Sequence, residues 1–91
     1  MNTHITIDAL WQLLSEHQEE TFYTVKKLPF TYTIKGGEMF VDRRSKSITK
    51  ATFHQALSKL QAAPDTTNGP KALNVFGAPY IWALLKALEI I

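Results

Sequence analysis

Residues 29–60 read PFTYTIKGGEMFVDRRSKSITKATFHQALSKL, and this stretch decides the fold that the sequence predicts. Its first part alternates apolar and polar residues around Gly36-Gly37, a pair suited to the positive φ values of a two-residue hairpin turn. Across that turn one charged pair and two apolar pairs face each other: Lys35 with Glu38, Ile34 with Met39, and Tyr32 with Val41. The sequence therefore predicts a β-hairpin in this register. Phe40 falls on the opposite face, which predicts either a covered second face or an interface.

An amphipathic helix is predicted after the hairpin. Its apolar residues recur at helical spacing: Phe53, Ala56, Leu57 and Leu60. Ser47 and Thr49 are both candidate N-caps, because a hydroxyl at that position accepts a hydrogen bond from a free N–H of the first turn. Ala63-Pro64-Asp65 predicts the end of this helix, and the turn-rich residues 63–70 predict a mobile internal loop.

Another amphipathic helix is predicted near the start of the chain. Thr6 suits the N-cap, and Asp8 lies in the first turn, where a carboxylate faces the positive end of the helix dipole. The apolar stripe of this helix consists of Ile7, Leu10, Trp11 and Leu14. Residues 21–25 fit both a short edge strand and a continuation of the helix. Residues 26–29 predict a connection, because Pro29 disfavours helix at the preceding residue and cannot donate to a central strand ladder.

The last part of the chain predicts a helix that is apolar on nearly all sides. Residues 71–76 predict a helical turn that Gly77 ends, and Pro79 suits the first position of the final helix. One face of that helix consists of Ile81, Leu84, Leu85 and Leu88. Such a helix is either central to the fold or shared with another molecule. The predicted fold is a small single α+β domain over residues 1–91. In it a β-hairpin, alone or with a third short antiparallel strand, packs against about three helices, the last of them central.

Length and composition narrow the class of protein. At 91 residues the chain has room for one hydrophobic core. It contains no cysteine, which excludes disulfides and thiolate metal sites and fits a reducing cytoplasm. Residues 1–14 lack the basic region and cleavage site of a signal peptide, and the apolar residues 78–91 are too few to span a bilayer. We therefore expect a cytoplasmic protein without a membrane partner.

No residue pattern in the chain points to catalysis or to a cofactor. His4, His17 and His54 lie far apart, and none is placed at i, i+4 from another histidine as a helical metal site requires. Gly69-Pro70-Lys71 lacks the spacing of a phosphate-binding loop, and Pro70 removes an amide donor that such a loop needs. We therefore expect a non-catalytic binding module with no metal and no cofactor.

The distribution of charge favours nucleic acid as the partner. Residues 43–64 contain no Asp or Glu but carry these cations: Arg43, Arg44, Lys46, Lys50 and Lys59. Lysines at the start of a helix oppose its dipole, so the cations, hydroxyls and free amides there together resemble an anion site. The expected nucleic-acid-binding residues are Arg43, Arg44, Lys46 and Lys50 for phosphates, Ser47 and Thr49 as donors at the helix start, and Lys50, His54 and Gln55 for groove contacts. A solvated basic face explains the same pattern, since the net charge is only +2.

A protein partner is the alternative hypothesis. The apolar C-terminal helix, predicted over residues 79–91, could leave part of its surface exposed and form a homodimer or another protein interface. The interface anchors would be Tyr80, Trp82, Leu85 and Ile91. The same residues are also expected in a central core helix, so the sequence leaves both interpretations open.

Three short motifs resemble a known family. They are Lys46-Ser47-Ile48-Thr49, Gly69-Pro70-Lys71-Ala72-Leu73 and Val75-Phe76-Gly77-Ala78-Pro79-Tyr80. Together they resemble a family of small uncharacterised bacterial proteins, and the resemblance covers most of the chain from Thr21 onward. It implies a bacterial, cytoplasmic protein and no particular activity.

Overall fold

Helices and short antiparallel strands follow one another in the arrangement of an α+β domain. The computed structural model describes residues 4–63 and 66–91. Within these ranges the elements are, in chain order, α1 (Ile7–Glu16), β1 (Phe22–Tyr23), β2 (Pro29–Phe30), β3 (Tyr32–Lys35), β4 (Glu38–Val41), β5 (Ile48–Thr49), α2 (Lys50–Ala62), α3 (Pro70–Leu73) and α4 (Ala78–Ala87). The predicted fold class is confirmed, with the three expected helices. The helical turn predicted over residues 71–76 forms as the short α3, but it begins at Pro70 and ends at Leu73 and not at Gly77. The prediction of a mobile loop over residues 63–70 stays a prediction.

The predicted hairpin forms in the predicted register. β3 and β4 pair antiparallel, and the facing pairs are Lys35 with Glu38, Ile34 with Met39 and Tyr32 with Val41. Of the two turn glycines only Gly36 has a positive φ, at 58°, so the expectation of positive φ at Gly37 is wrong. Tyr32, Met39 and Val41 are buried on one face of the hairpin, whereas Phe40 on the other face is exposed.

Two further pairings complete the sheets. β5 extends the hairpin by pairing antiparallel with β4, although the sequence predicts only a helix start at these residues. β1 pairs with β2 in a separate two-stranded sheet. Residues 21–25 therefore contribute a strand, because α1 already ends at Glu16. The predicted connection over 26–29 is wrong at its end, since Pro29 begins β2; a two-stranded sheet tolerates proline because each of its strands has a free edge.

Helix α1 is capped as predicted and is fastened to the hairpin by side chains. The Thr6 hydroxyl accepts a hydrogen bond from the Ala9 N–H at 3.1 Å. Trp11 Nε1 donates to the Gly36 carbonyl at 2.9 Å, and the Tyr32 hydroxyl donates to the Leu14 carbonyl at 2.6 Å. Burial raises the pKa of Tyr32, and the nearby Glu20 carboxylate makes a smaller contribution in the same direction.

Helix α2 uses one of its two candidate caps. The Thr49 hydroxyl accepts from the Thr52 N–H at 3.2 Å, so Thr49 is the N-cap and Ser47 is not. The predicted apolar stripe is buried as a whole: Phe53, Ala56, Leu57 and Leu60. The helix ends at Ala62, while the predicted stop at Pro64-Asp65 lies outside the described residues.

Helix α4 is the centre of the core. It begins at Ala78, one residue before Pro79, and Pro79, Lys86 and Ala87 leave one side of it exposed. The rest of the helix is buried through Ala78, Ile81, Trp82, Ala83, Leu84 and Leu85. The helix is shorter than predicted, because it ends at Ala87 and Glu89 adopts a left-handed φ of 61°. The Ile90 N–H then bonds back to the Leu85 carbonyl at 2.8 Å, as in a Schellman motif.

The start of α4 approaches β5 so closely that only glycine fits. Gly77 has a φ of 74°, and a Cβ added there would lie 2.8 Å from Cγ1 of the fully buried Ile48 and closer still to its Cδ1. Both the backbone conformation and the missing side chain are therefore required at this position.

Replacing Gly77 tests this packing. We expect Gly77→Ala to lower the free energy of unfolding by about 2 to 4 kcal/mol. An alanine is strained in the left-handed conformation of this residue, and its Cβ would clash with Ile48. Gly37→Ala is the matched control, since nothing lies within 4 Å of its added Cβ, and it should change stability by less than about 0.5 kcal/mol. Urea denaturation measures both. Equal effects of the two substitutions would contradict the close approach.

Candidate binding surfaces

The start of α2, predicted as an anion site, is occupied by groups of the chain itself. The Ser47 hydroxyl donates to the Glu38 carboxylate at 2.7 Å. The Thr49 hydroxyl caps α2 and shares a hydrogen bond with the Thr52 hydroxyl at 2.9 Å. The Lys50 N–H donates to the Gly37 carbonyl at 2.8 Å. Ser47 and Thr49 are therefore engaged within the fold, rather than arranged around an empty anion position.

Lys50 is also paired within the chain. Its ammonium group lies 2.7 Å from the Asp8 carboxylate, which comes from the first turn of α1. The hydrogen bond and the charge of Lys50 lower the pKa of Asp8, and nearby His54 contributes in the same direction. Asp8 thus supplies from another helix the negative charge that the first turn of α2 lacks.

The three remaining predicted cations form one cluster, the basic turn, which consists of residues 43–46 between β4 and β5. Arg43 Nε donates to the Pro29 carbonyl. The Arg44 guanidinium lies 4.8 Å from the centre of the Phe76 ring, and the Lys46 ammonium lies 5.2 Å from it. Among residues 4–63 and 66–91, no carboxylate forms an ion pair with any of the three cations. The basic turn therefore carries three charges that the fold contacts and that no ion pair within the described residues neutralises.

Phe76 contacts two cations of the basic turn, and the sequence does not predict this contact. It was assigned to a helical turn, and its position under two cations depends on the fold of residues thirty places earlier in the chain. An aromatic ring attracts cations through its negative face, so Phe76 organises the side chains of the basic turn. The neighbouring Gly77 is the signal that could have pointed here, because a glycine before a proline-started helix marks a close approach.

His54 lies apart from the basic turn. It is exposed on α2 and lines a depression of about 350 Å³ together with His4, Ile7 and Gln61. Two histidines therefore come near each other, but in the described part of the chain no group of three metal-ligating side chains is present. Within the expected groove-reading group, Lys50 is paired with Asp8 and His54 lies beside that pair.

The predicted interface anchors of the C-terminal helix belong mostly to the core. Leu85 has no exposed area and Trp82 retains 8%. Tyr80 is half-buried, with its ring 5.0 Å from that of Phe30, and Ile91 is half-buried beyond the end of α4. A central position thus accounts for the apolar surface of α4 without a second molecule.

An apolar groove of about 460 Å³ opens where the β1–β2 connection meets the starts of α3 and α4. We call it the hairpin groove; Val25, Lys26, Leu28, Lys71, Pro79 and Tyr80 line it. Val25 and Leu28 are 62% and 46% exposed, and both lysines are exposed as well. No acidic side chain among the described residues lines the groove. It was not predicted, although the sequence Val25-Lys26-Lys27-Leu28 was a signal, since two apolar residues in a connection flank two lysines.

The hairpin groove continues into two neighbouring depressions. One has a volume of about 490 Å³, shares Pro70 and Lys71 with the groove and reaches Phe76. The other, of about 370 Å³, shares Val25 and adds Tyr23, Lys27 and Lys86. The charged residues that line these two depressions in the described structure are all lysines. Phe76 therefore connects the hairpin groove to the basic turn.

No helix in the described ranges is long and apolar enough to cross a bilayer. Comparison with protein-family models, with curated proteins and with solved structures gave no significant match. The function is therefore inferred from the geometry and chemistry of these surfaces.

The contact between Lys50 and Asp8 can be tested by titration of the Asp8 carboxyl. We expect Lys50→Met to raise the pKa of Asp8 toward its ordinary value of 3.8, because both the hydrogen bond and the charge are lost. A lowered pKa in the folded state means that the pair stabilises the protein above pH 3.8, and that this contribution is lost as the pH falls through the lowered pKa. NMR titration of the Asp8 carboxyl measures the shift. Lys59→Met is the control and should leave it unchanged.

Proposed function

We propose that the protein is a non-catalytic binding module that contacts nucleic-acid phosphates through the basic turn. The observation that supports the proposal is the arrangement of Arg43, Arg44 and Lys46 within four residues, each held by the fold and none paired with a carboxylate in the described structure. Phosphate is a common ligand of such clusters, because its oxygens accept hydrogen bonds from several cations at once.

The contacts that Arg44 and Lys46 make with Phe76, and that Arg43 makes with a backbone carbonyl, favour phosphate binding in two ways. A side chain that is already held loses less conformational freedom when a ligand arrives. A guanidinium over an aromatic ring can still donate hydrogen bonds from the N–H groups at its edge. Arg44 could therefore stack on Phe76 and donate to a phosphate at the same time. Arg43 uses its Nε for the Pro29 carbonyl, which leaves the two terminal nitrogens without a hydrogen bond to any described residue.

The proposed contact set is smaller than the one that the sequence suggested. Ser47, Thr49 and Lys50 are left out because Glu38, Thr52 and Asp8 occupy them. His54 is left out because it lies beside Asp8 rather than with the basic turn. Lys71 is added as an outer contact, since it lines the same depression as Phe76.

Binding of this kind should be weak, dependent on salt and tolerant of sequence. Three or four phosphate contacts predict that the logarithm of the affinity falls with the logarithm of the salt concentration with a slope of about −2.7 to −3.6 for duplex DNA. Because the net charge is only +2, long-range attraction adds little to these contacts. We therefore expect dissociation constants of about micromolar or weaker at moderate salt.

A double substitution in the basic turn tests the proposal. Arg43→Ala with Arg44→Ala should weaken binding of mixed-sequence duplex DNA by about tenfold or more at low salt and reduce the salt slope by about 2. Stability should change little, because exposed charges contribute little to folding. Fluorescence anisotropy at about 50 and 200 mM salt measures both quantities.

The control variant carries Lys35→Ala with Lys59→Ala. It also removes two positive charges, but from exposed positions outside the basic turn. Its affinity for DNA should therefore remain within about threefold of that of the unmodified protein. Equal losses in the two variants would mean that only net charge matters. Unchanged binding in the arginine variant would remove the basic turn as the phosphate site.

A further inference from the structure

We propose that the hairpin groove docks an acidic peptide segment of another protein, whose apolar side chains enter between the β1–β2 connection and the starts of α3 and α4. This surface shares only Lys71 with the proposed phosphate contacts, and it does not depend on Arg43, Arg44 or Lys46 of the basic turn.

The first argument is the location of exposed apolar side chains. Within residues 4–63 and 66–91, four large hydrophobic residues are exposed: Tyr23, Val25, Leu28 and Phe40. Tyr23, Val25 and Leu28 all belong to β1 or to the connection after it. Exposed apolar residues that cluster beside a concave, apolar surface are typical of an interaction site, whereas single ones are ordinary.

The second argument is that the fold holds these residues in position. The Thr24 hydroxyl accepts from the Leu28 N–H at 3.2 Å, and the Thr24 N–H donates to the Leu28 carbonyl at 3.0 Å. The Lys27 N–H donates to the Thr24 carbonyl at 2.8 Å, and Thr24 itself is buried. Val25 and Leu28 are thus presented by a hydrogen-bonded turn, which reduces the entropy lost when a partner binds.

The third argument is the charge of the rim. Lys26 and Lys71 line the groove from opposite elements, the β1–β2 connection and α3, and Lys27 and Lys86 line the adjoining depression. All four lysines are exposed, and no ion pair to a described carboxylate neutralises any of them. An apolar floor between cations of this kind is complementary to a segment with apolar anchors and flanking carboxylates.

The same features make other occupants less suitable. In a second copy, Glu16, Glu19 and Glu20 are flanked by Leu14 and Phe22, which are buried and cannot act as anchors. Glu38 and Asp42 flank the exposed Phe40, but Phe40 belongs to β4, the central strand of its sheet, so it offers one anchor on a sheet face and not a free segment. Nucleic acid would use the lysines, but it would leave the aliphatic side chains of Val25 and Leu28 without suitable partners.

The experiment is selection from a random peptide display library on the immobilised full-length chain, followed by affinity measurement with the enriched peptides as synthetic, labelled probes. We expect enrichment of sequences that combine Asp or Glu with Leu, Ile, Phe or Trp. Val25→Ser with Leu28→Ser should reduce their affinity by about tenfold or more, and Lys26→Glu with Lys71→Glu should do the same.

Two matched controls keep the test specific. Phe40→Ser removes an exposed apolar side chain outside the groove, and Lys35→Glu reverses an exposed charge outside it. Both should change peptide affinity by less than about threefold. Thermal unfolding of every variant shows whether a loss of peptide affinity comes from the altered groove or from an unfolded protein. The variant with Arg43→Ala and Arg44→Ala should retain peptide binding, so failure of this proposal and failure of the phosphate site are distinguishable.

Several outcomes would overturn the proposal. They are enrichment of no sequence, enrichment without acidic residues, and equal peptide binding by the groove variants. Concentration-dependent self-association that the groove variants abolish would instead assign the groove to a second copy. Groove-dependent binding of duplex DNA, or of vesicles of anionic phospholipid, in place of peptides would assign it to those ligands.

Discussion

The packing of Ile48 against Gly77 is the contact on which the rest of the binding face depends. β5 passes so close to the start of α4 that a side chain at Gly77 has no room, and the backbone there adopts a conformation suited to glycine. This approach brings the end of the basic turn to the α3–α4 connection, where its cations reach Phe76. The same helix start carries Pro79 into the hairpin groove. One close contact thus places the two proposed surfaces side by side.

Some charged side chains form pairs that stabilise the fold, whereas other cations have no carboxylate partner among the described residues and can contact a ligand. Glu38 and Asp8 provide carboxylates to the start of α2, one through a hydroxyl and one through Lys50. A helix without acidic residues in its first turn thereby obtains the negative charge that its dipole favours. Among the described residues, the cations without a carboxylate partner include those of the basic turn and those around the hairpin groove. The chain is only weakly basic overall, but the distribution of its free charge is uneven.

The two surfaces differ in the chemistry that they offer. The basic turn presents donors supported by a ring and a carbonyl, an arrangement suited to the many oxygens of phosphates. The hairpin groove presents aliphatic side chains between separated lysines, an arrangement suited to apolar anchors with carboxylates beside them. They meet near Lys71 and Phe76, where one ligand could affect the binding of the other. Neither surface uses Leu85 or the buried face of α4, which remains with the core.

The elements that the amino-acid sequence predicts correctly are those with local causes. The register at Gly36-Gly37, the Thr6 cap and the stripe of α2 depend on residues within a few positions of one another, so periodicity and turn chemistry were sufficient. Which charged side chains have a partner depends, in contrast, on contacts that form only when the chain folds. Lys50 meets Asp8 across 42 positions, and Arg44 meets a ring that the sequence assigned to another element. Such contacts arise from the packing of distant elements, which spacing along the chain does not encode.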